Sequence, residues 1–137
     1  MSAFEQYFKE TLTERYADFE GRARRSEYWF FVLFSYISII VVSVVFGILG
    51  SMVSEVVGMI GLVGVMLALF VPQLAVYVRR LHDTGKSGWW ILFGLVPLVG
   101  SIVLLVFLCT DSTPGSNQYG PNPKELQEND LVGNLVE

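Results

Sequence analysis

The sequence predicts an all-α integral membrane protein, with an amino-terminal amphipathic interfacial helix and three transmembrane helices. Three observations predict it. Of the 137 residues, 53% are apolar and only 16% charged, whereas a soluble domain is about 45–50% apolar and about 25% charged. The charges are nearly absent from three long blocks and gathered between them. Each block supplies the roughly 20 apolar residues with which a helix crosses a hydrocarbon core of about 30 Å. The length allows one domain. It divides into a cytoplasmic amphipathic helix and basic segment (1–27), a three-helix membrane domain (28–110) and a polar, acidic tail (111–137).

The amino-terminal helix is expected from Ser2 to Phe19. Ser2 and Glu5 have the spacing of a capping box. Phe4, Tyr7, Phe8, Leu12, Tyr16 and Phe19 fall on one broad face, and Glu5 and Lys9 stand in the favourable order for an ion pair. Such a stripe before a membrane span suits either a helix lying in the interface or one packed on the protein's own cytoplasmic loop. No cleavable signal peptide is expected, since the first 20 residues are charged throughout and lack an apolar run.

The first span is placed at 28–49, with Tyr28 and Trp29 at headgroup level. The connection from Gly50 to Glu55 is short, so the second span, 56–78, must return beside the first. Its row of Gly58, Gly61, Gly64 and Ala68 predicts close helix contact, including one at Gly64, because small residues let backbones approach in lipid. Pro72 frees a backbone carbonyl that another group must satisfy. Gln73 needs a partner too, which makes it either a packing contact or a pathway residue.

After the polar loop RRLHDTGKSG comes the third block, 89–109, opened by Trp89 and Trp90. It reads as one span kinked at Gly94, Pro97 and Gly100. The alternative is a re-entrant hairpin, since Pro and Gly together can turn the chain back. TPGSNQYGPNP is turn material without helical or strand period, and the acidic stretch from there to Glu137 is expected to be mobile.

Lys and Arg number 5 before the first span, 0 in the first connection, 3 in the second and 1 in the tail. Cationic short loops stay in the cytoplasm. The amino terminus and the loop RRLHDTGKSG are therefore expected there, and three spans would carry the carboxy terminus outside.

The candidate site is a cytoplasmic cluster of Arg22, Arg24, Arg25, Glu27, Arg79, Arg80, His82 and Asp83. Glu27 is expected to face Arg79 or Arg80, and Asp83 to face Arg22 or Arg25, because a guanidinium holds a carboxylate bidentately. The surplus positive charge leaves room for anionic lipid headgroups, which arginine binds well. The cluster reads as a topology marker and lipid anchor, as a site for a phosphate-bearing ligand or protein partner, or as a proton-transfer site using His82. DTGKSG lacks the spacing and the strand–loop–helix setting of a phosphate loop.

GRARRSEYW, RRLHDTGKSGWW and TPGSNQYGPNP, in that order from about Phe19 to Pro123, resemble the bacterial inner-membrane family called domain of unknown function 805, the YhaH-like proteins. The resemblance implies a small, multi-pass protein of the bacterial inner (plasma) membrane and no particular activity. It does not extend to the acidic end after Lys124.

The net charge of −4 gives no basic stripe for nucleic acid. The lone Cys109 makes no internal disulfide, and His82 has no second histidine for a metal site. No cofactor is expected. The function expected is non-enzymatic: contact with membrane lipids or a protein partner at the arginine cluster, with a homo-oligomer as another partner. The alternative is a subunit of an oligomeric small transporter or channel, which the absence of ionisable residues inside the spans disfavours.

Overall fold

A computed structural model describes Ser2 and residues 4–136; Glu137, counted with the acidic tail, lies outside the described residues. The regular elements among the described residues are all helices, with an isolated bridge between Asn117 and Gly120. They form two compact units: Met1–Ala17 with Trp29–Leu74, and Asp18–Tyr28 with Ala75–Glu137.

In the first unit, a wide π-type turn at Phe4–Lys9 runs into the short helix α1, Glu10–Thr13. The capping box forms: the Glu5 amide donates to Ser2 Oγ at 3.3 Å, and the Ser2 amide donates to Glu5 Oε2 at 3.2 Å. That second bond, led by the Ser2 backbone, holds the Glu5 carboxyl below its ordinary range. The aromatic stripe packs on helix α2, Arg25–Met52, and not on a loop. Phe4 meets Phe34 edge-on at 5.3 Å, Tyr7 stacks on Phe30 at 5.7 Å, and Phe8 meets Phe31 at 5.5 Å.

The helix ends at Thr13, short of the expected Phe19. Beyond it, Tyr16 sends its hydroxyl to the Ala68 carbonyl of helix α3, Glu55–Asp83. Ala68 stands four residues before Pro72, so its carbonyl is the one that the proline leaves without a helical partner. The group freed by Pro72 is satisfied by a side chain from the amino-terminal segment.

Helices α2 and α3 have 28 and 29 residues and are apolar enough to cross a membrane. At a rise of 1.5 Å per residue each measures about 42–44 Å. Only 6% and 17% of their most apolar stretches are buried within the protein, whereas the core helix of a soluble protein would bury most of its length. Val53 and Ser54 connect them, and Ser54 Oγ accepts the Val57 amide at 3.3 Å as an N-cap. Close contact falls at Gly58 and Gly61. A Cβ on Gly58 would lie 2.7 Å from the Phe46 carbonyl, and one on Gly61 only 2.0 Å from the Phe46 ring. Gly64, expected in the same contact, has open space around it within the chain. The paired glycines sit nearer than Gly64 to the Val53–Ser54 connection.

In the second unit, α3 runs past Val78 to Asp83, then stops in a Schellman cap. Gly85, at φ +77°, lets its amide reach His82 O at 3.0 Å and that of Lys86 reach Leu81 O at 3.0 Å. The first glycine of DTGKSG is thus a helix terminator.

The third apolar block, read as one span kinked at Gly94, Pro97 and Gly100 with a hairpin as the alternative, is divided into two helices. A 3₁₀ helix spans Gly88–Leu95, and α4 spans Val99–Cys109. Between them Leu98 adopts φ 60° and ψ −62°, and the Val99 amide reaches Pro97 O at 2.7 Å. This is a γ-turn, rare because of its strain. The chain doubles back: Trp90 meets Phe107 edge-on at 5.3 Å, and a Cβ on Gly94 would touch Leu104 at 3.5 Å. Gly100 is required here, since a Cβ would fall 1.6 Å from the Phe93 carbonyl.

The acidic end, expected to be mobile, forms helix α5, Pro123–Val136. Asn122 caps it by accepting the Lys124 amide at 3.0 Å, and Pro123 takes the first helical position, where a missing N–H costs nothing.

Candidate functional site

All eight expected residues lie in the second unit. The fold brings them together from the segment before α2, the first turn of α2 and the last turn of α3. Arg79 Nη1 donates to Glu27 Oε1 at 2.7 Å, and Arg22 Nε donates to Asp83 Oδ1 at 3.0 Å. Both ion pairs are those the sequence predicts. Asp83 also accepts Arg80 Nη1 at 2.5 Å and Ser112 Oγ at 2.5 Å. Arg79, Arg80 and Asp83 are fully buried.

Two carboxylates against three buried guanidinium groups leave positive charge over, and main-chain carbonyls receive it. Arg22 uses all five of its N–H donors. Besides Asp83 Oδ1, it reaches the carbonyls of Asp83 at 3.1 Å, Thr113 at 2.7 Å, Gly115 at 2.8 Å and Gly120 at 3.3 Å. Arg80 donates to Ala23 O at 3.2 Å, to Leu108 O at 3.0 Å and to Thr110 O. Arg25 adds a bond to Cys109 O at 3.3 Å. The last carbonyls of α4 have no partner inside their helix and carry its negative dipole end. Two arginines satisfy both needs. Burial pulls the Arg80 guanidinium below its usual value, and Asp83 opposes that shift.

His82 Nδ1 pairs with the Gly21 carbonyl at 3.0 Å, and its ring stacks on Tyr119 at 3.8 Å and 2°. Desolvation by burial pushes its pKa down, against the opposing bond to Gly21. Ser112 faces Asp83 while the histidine is directed to Gly21, so the three make no nucleophile–base relay. Among the described residues no group of three His, Cys, Asp or Glu side chains could hold a metal.

Arg24 and Arg25 lie further out. Arg24 reaches Gln127 of α5, and the half-exposed Arg25 lies 3.6 Å from Asp111. Asp111 is held below its ordinary range chiefly by its bond to Lys124 Nζ, at 3.0 Å.

The sequence reading missed the tail's part. Asn117 Nδ2 donates to His82 O at 2.9 Å, and the turn closed by Asn117 and Gly120 presents the Gly120 carbonyl to Arg22. The signal was available: buried arginines in excess of carboxylates require carbonyl acceptors, and a Gly- and Asn-rich turn can aim them. The tail thus returns to the basic segment, where a continuous third span would have carried it to the opposite end.

Fold and site together define a small, all-helical protein with two membrane-length apolar helices and an arginine–carboxylate cluster at the start of one and the end of the other. The chain belongs to the family described as protein of unknown function DUF805, whose pattern matches residues 16–121. It is 46% identical over 114 residues to the inner membrane protein YhaI of Escherichia coli strain K12, covering 83% of this chain and 92% of that protein. It is 41% identical over 113 residues to the inner membrane protein YhaH of the same strain, covering 82% and 93%. No solved structure matches.

Proposed function

We propose that the chain is a non-enzymatic protein of the bacterial inner membrane, acting through lipid or protein contacts at its cytoplasmic arginine cluster. In this reading α2 and α3 cross the membrane, the amino terminus is cytoplasmic, and the segment around α1 lies at the interface. The distribution of basic residues supports that orientation, and the names of the two relatives support the compartment.

The observation that carries the reading is a division of labour among the arginines. Arg22, Arg79 and Arg80, with Glu27, Asp83 and His82, frame the site from within. Arg25, with 49% of its side chain exposed on the first turn of a membrane-length helix, faces outward. Guanidinium at that level suits an anionic headgroup, and each basic residue near such a surface adds about 1 kcal/mol. Arg24→Ala with Arg25→Ala should lower the anionic lipid retained through purification, while Lys124→Ala should not. Equal retention in all three proteins would leave these arginines without a lipid role.

A second reading, a subunit of an oligomeric transporter or channel, draws on an open cleft of about 440 Å³ between α2 and α3. Ser43, Gly47, Gly50, Glu55 and Gly58 line it. Ion flux through purified protein in liposomes would favour this reading.

A further inference from the structure

The segment from Gly88 to Cys109 has the dimensions, surface and anchoring of a membrane hairpin that does not cross. Its first arm is an eight-residue 3₁₀ helix and its second an eleven-residue α-helix. At rises of about 2.0 Å and 1.5 Å per residue, each extends about 16 Å, roughly half of a 30 Å hydrocarbon core. We infer that this hairpin enters and leaves the cytoplasmic leaflet, with its tip in the hydrocarbon and the carboxy-terminal tail on the same side as the amino terminus. The inference rests on the membrane orientation proposed above and adds to it how the third apolar block meets the lipid.

Three features of the second unit argue for lipid as the occupant of this surface. The first is the tip. Leu95 is 80% exposed, Leu98 75% and Val99 59%, and no charge stands between Trp89 and Cys109. In water such a tip would be a costly apolar patch.

The second feature is the backbone of the turn, because irregular backbone enters hydrocarbon only where its polar groups are satisfied. The amides of Val96, Val99, Gly100 and Ile102 donate to Phe93, Pro97, Val96 and Leu98 respectively, all inside the hairpin. Pro97 has no amide to satisfy. The γ-turn at Leu98 thus reverses the chain while these four N–H groups around it stay bonded within the hairpin.

The third feature is the base. Lys86 Nζ lies 4.3 Å from the centre of the Phe107 ring, at the mouth of the hairpin. Arg80 holds the carbonyls of Leu108 and Thr110 where α4 ends. The second arm is fastened to the basic loop from which the first arm sets out, and Arg22 then fastens the tail beyond them.

Two measurements on the full chain test this. Compartment reporters at the amino terminus, at the carboxy terminus and within the Val53–Ser54 connection give the sidedness. Agreement between the two termini is expected; opposite sides would overturn the hairpin. The connection reporter separately judges the proposed orientation, since an external signal is required there whichever way the third block runs. For depth, Leu95→Cys in a Cys109→Ser background carries an environment-sensitive fluorophore in lipid vesicles. Quenching by nitroxide-bearing lipids, with aqueous iodide ineffective, is expected. Iodide quenching equal to that of a label at Glu128→Cys would overturn insertion even if the termini agree.

Discussion

Arg22 Nε donates to Asp83 Oδ1 at 3.0 Å across 61 positions of sequence, with neither side chain more than 1% exposed. The pair joins the segment before α2 to the end of α3, and the remaining donors of Arg22 join both to the tail. A buried pair of this kind is weak evidence of net stabilisation, because desolvation opposes the attraction. Breaking it is another matter. Asp83→Asn leaves Arg22 and Arg80 without their shared carboxylate and should cost about 3–5 kcal/mol. Thermal unfolding in detergent should show the loss, together with faster proteolysis between residues 113 and 122. An unchanged melting temperature and unchanged cleavage would mean that the carbonyls alone hold both guanidinium groups.

His82 gives the cluster a pH dependence of definite sign. Its folded pKa is lowered, chiefly by burial, below the ordinary histidine value of about 6.5. The unfolded chain therefore takes up a proton at a pH where the folded chain resists it. The stability present above about pH 6.5 should fall as the pH drops through the interval between the unfolded and folded values. Melting temperatures between pH 8 and 5 should decline for the native chain and flatten for His82→Gln. Parallel curves would assign the decline to other groups.

The glycines of α3 should differ sharply. Gly58→Ala sets a methyl group 2.7 Å from the Phe46 carbonyl and 2.9 Å from Gly50 Cα, backbone atoms that cannot rotate away. Overpacking of this kind costs about 1–3 kcal/mol. A Cβ at Gly64 meets nothing within 4 Å, so Gly64→Ala should leave the melting temperature unchanged. A drop at Gly64, with an altered elution volume, would show a second copy packed on that face.

Much of this architecture is legible in the residues. Charge-free blocks mark α2 and α3, the Ser2–Glu5 spacing marks the cap that forms, and charge complementarity pairs Glu27 with Arg79 and Asp83 with Arg22. What escapes has a common physical cause. Helical period and apolar length measure side chains, whereas the third block is decided by its backbone: a γ-turn at a leucine and a crossing that only Gly100 permits. The excess of arginine over carboxylate calls for carbonyl acceptors, but main-chain carbonyls carry no residue signature, so which of them hold Arg22 emerges only once the turn is placed. In α5, the cap at Asn122 and Pro123 could have been read, but the turn-rich stretch before it masks a helix of mixed apolar and acidic residues.

The bond from Tyr16 to Ala68 can be tested through the residue that makes it necessary. Pro72 lacks the N–H that would have bonded to the Ala68 carbonyl, and the Tyr16 hydroxyl stands in for it. Tyr16→Phe keeps the ring and removes only the donor, so it should cost about 0.5–1.5 kcal/mol, the net value of one hydrogen bond. Pro72→Ala returns the amide to position 72. With that amide in place, Ala68 is satisfied within α3 and the tyrosine hydroxyl is no longer needed. The cost of Tyr16→Phe should therefore shrink toward zero in the Pro72→Ala background, and a double-mutant cycle on thermal unfolding measures the difference as a coupling. If Tyr16→Phe costs the same in both backgrounds, the hydroxyl contributes through something other than the carbonyl that Pro72 releases.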